Sequence, residues 1–168
     1  ELNTRKIIGA EALVRWNHPA LGEISPAVFI PVLENNGYIT KLDQKIWEDV
    51  CAMIRRWIDE GIKPLAISIN VTKTDLLAMD VVEIFDELLK KYRIPPKYLN
   101  IDIAENAYKE VYGIVSEVEK SLQQKGFRIA LDGFDACRRY PRYDTSMVRP
   151  LAVGKKYHGS RLRGLTPP

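Results

Sequence analysis

The sequence predicts an α/β fold built on a parallel sheet. Two observations carry that prediction. Along residues 1–137, strand-like and helix-like segments follow one another in the order β-α-α-β-α-β-α-β. The helical segments are also long enough to act as the crossovers that parallel strands require.

Taken in order, residues 6–14 (KIIGAEALV) form a short apolar run with Glu11 as its one acid, and read as the first strand. Ser25-Pro26 then opens a helix, with Ser as N-cap, Pro at the first position and Gly37 as the stop. Pro31 falls inside it, which predicts a short or broken helix. Thr40 opens a longer helix in which Leu42, Ile46, Val50, Ile54, Trp57 and Ile58 recur at helical spacing up to Gly61. Residues 65–71 (LAISINV) are the second strand. Residues 81–92 are a helix capped by Asp80, with Val81, Ile84, Phe85, Leu88 and Leu89 on one face, and Pro95-Pro96 ends it. Residues 99–103 (LNIDI) alternate apolar and polar as a third strand. Residues 107–124 are one helix with Val111, Ile114, Val115, Val118 and Leu122 inward, and residues 127–131 (FRIAL) are the fourth strand.

Composition bounds the class. The 168 residues are 46% apolar and 28% charged, ordinary for a single globular domain able to bury a core. Two cysteines make no disulfide framework, and Cys51 and Cys137 fit no metal spacing. No apolar run approaches the roughly 18 residues of a membrane span, and no signal peptide opens the chain. It begins with Glu1, so the expectation is a piece of a longer protein. The net charge of +3 hides a split. Residues 138–168 hold eight basic side chains against one acid, Asp144, which gives them +7. The remaining 17 basic and 21 acidic residues give residues 1–137 a charge of −4. That division predicts a folded unit over 1–137 and a basic, irregular tail over 138–168, which also carries four of the ten prolines.

Each strand carries one conspicuous acid or amide: Glu11 in the first, Asn70 near the end of the second, Glu105 just after the third and Asp132 just after the fourth. Parallel α/β folds gather the carboxyl ends of their strands on one rim, where sites are built. Three carboxylates and an amide there make a hard oxygen set, suited to Mg²⁺ or Mn²⁺ rather than zinc. Each residue has a plainer reading alone. Glu105 or Asp132 serves equally as a helix N-cap, and Asn70 as an Asx-turn residue. Glu11 is harder to dismiss, since an acid amid Ala, Leu and Val near the middle of a buried strand needs a partner. Trp47 and Trp57 sit in a helical stripe and read as core, and His18 as a loop residue of the Trp-Asn-His-Pro turn.

Glu11-Ala12-Leu13, continuing through Val14-Arg15-Trp16-Asn17-His18-Pro19, closely resembles the signature of the bacterial EAL domains, the cyclic di-GMP phosphodiesterases. The likeness runs on through residues 22–31 (GEISPAVFIP), 68–72 (SINVT), 99–106 (LNIDIAEN) and 128–132 (RIALD), in order and with family-like spacing. The resemblance implies a TIM-type (β/α) barrel that holds two divalent metals and hydrolyses cyclic di-GMP to linear pGpG. By match, Glu11, Asn70, Glu105 and Asp132 correspond to metal ligands, Arg15 to the arginine on a substrate phosphate, and Leu13 to a residue lining the substrate site. It further implies a cytoplasmic domain, often in membrane-tethered parents, fused to or partnered by GGDEF or sensory domains.

This chain also departs from the family pattern. Where active members carry Asp-Asp-Phe-Gly-Thr-Gly-Tyr, it reads Asp132-Gly133-Phe134-Asp135-Ala136-Cys137-Arg138, so the second Asp is glycine and both loop glycines are gone. The later Lys-Ile-Asp strand and the catalytic glutamate beyond it are absent from these residues. A full barrel of about 250 residues has eight βα units, and four are recognisable here. The expectation is an incomplete barrel whose open strand edges favour poor solubility or a homo-oligomer. Two functions follow from the resemblance: a phosphodiesterase fragment with impaired turnover, or a degenerate EAL module serving as a cyclic di-GMP receptor or interaction scaffold. The tail lacks an aromatic platform or a helical basic stripe, so nucleic acid is not an expected partner. Its onset where the resemblance stops predicts a shifted reading frame or junction from about Asp135 onward.

Overall fold

The computed structural model describes residues 7–132 of the chain. Gly9–Glu11 (β1), Ala66–Val71 (β4), Leu99–Ala104 (β5) and Arg128–Asp132 (β6) form one parallel sheet in the order β1-β4-β5-β6. Trp16–His18 (β2) and Gly22–Ile24 (β3) form a separate antiparallel hairpin. The helices are Pro26–Asn35 (α1), Ile39–Asp59 (α2), Lys73–Ala78 (α3), Val81–Tyr92 (α4), Glu105–Glu110 (α5) and Tyr112–Gln124 (α6). Helices α1 and α2 lie between β1 and β4, α3 and α4 between β4 and β5, and α5 and α6 between β5 and β6, and each strand is joined in parallel to the next, which is the repeating unit of a (β/α) barrel.

Period-two alternation divides the sheet into two unlike faces. Ile67, Ile69 and Val71 of β4 and Leu99, Ile101 and Ile103 of β5 are buried beneath the helices. They meet Trp47, Val50, Cys51 and Ile54 of α2, Val81, Phe85 and Leu88 of α4, and Val115 and Leu122 of α6. Aromatic contacts run through this layer, from Trp47 to Phe85 at 4.7 Å and on to Phe127 at 6.0 Å between ring centroids. The opposite face carries Ser68 and Asn70 of β4 and Asn100 and Asp102 of β5. Close approach sets the register at the β1 edge. Gly9 pairs with Ala66, and a Cβ at position 9 would lie 2.9 Å from the Ala66 carbonyl oxygen.

Helix ends follow the sequence signals. Gly61, at φ 72°, closes α2 in a Schellman turn, with Ile62 N–H donating to the Trp57 carbonyl at 2.8 Å and Gly61 N–H to Ile58 at 3.1 Å. Asp80 caps α4 by accepting the Glu83 N–H at 3.0 Å. Trp47 is core as expected, and Trp57 packs half-buried against the same cluster.

Several expectations need correction. The first strand is three residues within 7–14 rather than the whole run, and Glu11 is its exposed last residue, not a buried middle one. Among the described residues β1 pairs only with β4, so the strand end opens to solvent. Of the short or broken helix expected around Pro31, the structure shows the short one, ten residues running unbroken through the proline. The helix expected over 107–124 is two helices, divided at Val111, whose φ −134° and ψ 41° leave the helical region. The α3 helix and the β2–β3 hairpin were not foreseen. No helix among the described residues is long and apolar enough to cross a membrane. The basic tail lies outside the described residues.

Candidate functional site

The parallel sheet brings the carboxyl ends of β1, β4, β5 and β6 to one rim. Glu11 and Asn70 meet there. Glu11 is in register with Ser68, and the Ala12 N–H donates to the Ser68 carbonyl at 2.8 Å, which holds the end of β1 beside β4. From that position the Asn70 Nδ2 donates to Glu11 Oε1 at 3.2 Å. Glu11 thus has Asn70 as a partner at the exposed end of β1, although the burial that argued for a partner is not there. Asn70 is itself held from behind: the buried Trp47 indole Nε1–H donates to the Asn70 backbone carbonyl at 3.1 Å. One face of α2 thereby fixes the strand end that carries the amide.

Glu105 and Asp132 sit further along the same rim. Asp132 ends β6 in register with Ala104. Glu105 follows Ala104 as the first residue of α5, where a carboxylate favours the positive end of the helix. Its Oε1 lies 2.7 Å from Lys109 Nζ one turn on. The structure thus brings Glu11 and Asn70 into contact and engages Glu105 within its own helix.

Register identifies a residue that the sequence reading passed over. Asp102 of β5 pairs directly with Asn70 of β4, on the same face of the sheet. The signal was present in the alternation of Leu99-Asn100-Ile101-Asp102-Ile103, which puts both polar residues on the face opposite the core. Asn100 lies deeper on that face, buried, with its Oδ1 lacking a donor among the described residues. Glu11, Asn70, Asn100 and Asp102 make an oxygen-rich strip across β1, β4 and β5.

That donor chemistry fits a hard divalent cation better than zinc, because it offers carboxylate and amide oxygens and neither thiolate nor imidazole. Glu11 and Asn70 are the two donors already adjacent. No group of three or more His, Cys, Asp or Glu side chains is close enough to hold a metal among the described residues.

Arg15 and Leu13 continue from β1 over the rim. Both are exposed, with Leu13 at 52%. The Arg15 Nη1 donates to the Val14 carbonyl at 2.8 Å, and its Nε stands 3.8 Å from Glu23 Oε1. An exposed pair at that separation is weak, so the guanidinium is available to an anion. Arg15, Glu23, Ser25 and Pro26 line a shallow open cleft where β3 passes into α1. His18 ends β2 and accepts the Ala20 and Leu21 N–H groups through Nδ1 at 3.2 and 3.3 Å, a turn-forming role. Cys51 is buried against the sheet, and burial pushes its thiol up to about 12, so it is inert.

The family model of the EAL domain matches residues 1–139. The cyclic di-GMP phosphodiesterase PA2567 of Pseudomonas aeruginosa is 31% identical over 134 residues, which cover 80% of this chain and 23% of that protein. The bifunctional diguanylate cyclase/cyclic di-GMP phosphodiesterase MucR of the same organism is 27% identical over 128 residues, covering 76% of this chain and 19% of the relative. Among solved structures, the MucR phosphodiesterase in its c-di-GMP complex superposes with a TM-score of 0.70 at 25% identity, covering 75% of this chain and 51% of that one. The chain therefore spans about half of that solved chain and less than a quarter of either relative.

Proposed function

The chain belongs to the EAL domain family, whose fold is a TIM-type barrel, and from that premise we propose that it binds cyclic di-GMP at the carboxyl-terminal rim of its sheet together with one hard divalent cation, Mg²⁺ or Mn²⁺. The observation that carries this reading is the Glu11–Asn70 contact across β1 and β4, which puts a carboxylate and an amide from separate strands on one rim. Glu11, Asn70 and Asp132 are the proposed ligands from β1, β4 and β6. Between Asp102 and Glu105, Asp102 is preferred, because it is Asn70's register neighbour on the same face of the sheet. Glu105 then fastens the start of α5.

Arg15 is proposed to take a phosphate of the dinucleotide through its planar fork, and Leu13 to supply apolar surface to a base. When bound, the cation would polarise a phosphoryl oxygen and acidify a water for in-line hydrolysis to pGpG. Glu11 and Asn70 orient the donor set, and Trp47 keeps Asn70 in place. Turnover is expected to be weak, because Gly133 stands where active members carry a second Asp. That same residue favours a second reading, a degenerate EAL module that binds cyclic di-GMP, or a GGDEF or sensory partner, without cleaving it.

Incubation with cyclic di-GMP and Mn²⁺, followed by chromatography for pGpG, separates the readings. Turnover supports the phosphodiesterase and removes the receptor. Binding without turnover supports the receptor. Neither binding nor turnover would overturn the assignment of this rim to the dinucleotide.

A further inference from the structure

A second pair of carboxyl groups, away from the rim strip, is enclosed where α2 crosses the start of α3. Asp75 is wholly buried, although it is an aspartate on a six-residue helix that begins directly after β4. One of its oxygens is accounted for. Oδ2 accepts the Thr72 N–H at 2.8 Å and the Thr72 hydroxyl at 2.7 Å, and Thr72 Oγ1 in turn accepts the Asp75 N–H at 3.2 Å, which closes a capping box. The other oxygen, Oδ1, is buried with no donor among the described residues, and so is Oδ2 of Asp43 on α2. Helix α2 packs against α3 there, and the two carboxyl groups act directly on each other's affinity for a proton.

Two carboxylates cannot share such a contact, since both would only accept and their charges would repel in a dry site. A single proton resolves both problems. We propose that Asp43 and Asp75 hold one buried proton between them, with the Asp43 carboxyl donating to Asp75, and that this proton clasps α2 to the start of α3 and makes the β4 rim responsive to pH.

The groups around the pair agree. Burial, then Asp75, then Glu34 of α1 push Asp43 up to about 7, and burial also raises Asp75 against the lowering effect of Thr72. The nearby cations are engaged elsewhere. Lys73 of α3 pairs with Glu110 of α5, Lys45 of α2 with Asp49, and Lys41 lies 4.8 Å over the Tyr38 ring. The connection to the rim is short. Thr72 follows Asn70 by two residues, and Trp47, one helical turn past Asp43 on α2, holds the Asn70 carbonyl.

The sign follows from linkage. Asp43 binds its proton more tightly in the folded chain than in the unfolded one, so its contribution is complete below the ordinary carboxylate range and is lost as pH rises toward about 7. The test compares the full chain with Asp43→Asn, whose amide supplies a permanent donor to Asp75, by urea unfolding at pH 5 and pH 8. Titrations common to both proteins cancel in the difference. The expected result is similar midpoints at pH 5 and a higher midpoint for the variant at pH 8, with a smaller fall between the two. Equal falls in both proteins would overturn the proposal. Asp75→Asn, which gives Asp43 a donor, should flatten the dependence in the same way and covers the case where the first variant does not fold. The Trp47 indole N–H resonance, assigned through Trp47→Phe, is the readout at the rim. It should move between pH 5 and 8 in the natural chain and stay still in Asp43→Asn, and an identical movement in both would sever the clasp from the rim.

Discussion

Replacing Trp47 with phenylalanine separates the two roles given to this residue, core packing and support of Asn70. The indole is fully buried, packs tilted against Phe85 and donates to the Asn70 carbonyl at 3.1 Å. Phenylalanine is about 40 Å³ smaller, and at about 24 cal/mol per Å³ of residual cavity that costs about 1 kcal/mol. Loss of about 40 Å² of buried apolar area costs about 1 kcal/mol more. The missing hydrogen bond adds about 1 kcal/mol. The sum is about 3 kcal/mol, which lowers the melting temperature by about 10 °C in a domain of this size. Urea unfolding followed by circular dichroism measures it, with an unchanged slope as evidence that the two end states keep their compactness. Trp57→Phe on the same helix, half-buried, is the control and should cost about 1 kcal/mol or less. Below the melting range, Trp47→Phe should also weaken Mn²⁺ binding about tenfold, whereas Trp57→Phe should leave it unchanged. If Trp47→Phe costs less than Trp57→Phe, or leaves Mn²⁺ affinity intact, Trp47 does not support the amide.

Further substitutions test the rim itself. Asp102→Asn should reduce Mn²⁺ affinity at least tenfold, about 1.4 kcal/mol, in a paramagnetic-resonance count of free Mn²⁺, while Glu105→Gln stays within twofold. The reverse order would return the ligand role to Glu105. Gly9→Ala drives a Cβ against the Ala66 carbonyl and should destabilise by about 1–3 kcal/mol in the urea midpoint. It should also loosen the Glu11–Asn70 contact, and a neutral outcome would mean that β1 is not tightly set against β4.

The parts of the fold legible in the sequence are those with a long period or a strong punctuation mark. Helix α4 could be read to both ends because Asp80 caps it and its apolar stripe spans three turns. Strands β4, β5 and β6 were legible as compact apolar runs between helices. The three-residue strands of the β2–β3 hairpin and the six-residue helix α3 escaped, since so few positions define no period. The Thr72–Asp75 capping box was written in the sequence, but the helix it starts is a turn and a half long. In the turn of the β2–β3 hairpin the His18 imidazole accepts two backbone N–H groups, which no alternation pattern encodes. The division at Val111 was hidden because apolar residues continue across it at helical spacing.

Site residues divide in the same way. Glu11 and Asn70 stand out as polar residues in apolar runs, and their 3.2 Å contact joins positions 59 residues apart. Asp102 was overlooked because, inside an alternating strand, an acid on the polar face is unremarked until register sets it beside Asn70. The Asp43–Asp75 pair was invisible, because helix α2 and the short helix α3 each show only one ordinary surface-type acid there.

The central claim is that the β1–β4 rim holds a cyclic dinucleotide and a divalent cation together. Calorimetric titration of the chain with cyclic di-GMP, run with Ca²⁺ in place of a cation that supports turnover and repeated in chelator and with Asn70→Ala, tests it most directly. Binding with Ca²⁺, weakened at least tenfold by chelator and by Asn70→Ala alike, is the predicted result. Affinity indifferent to both the cation and Asn70, or no binding at all by a folded chain, would contradict it.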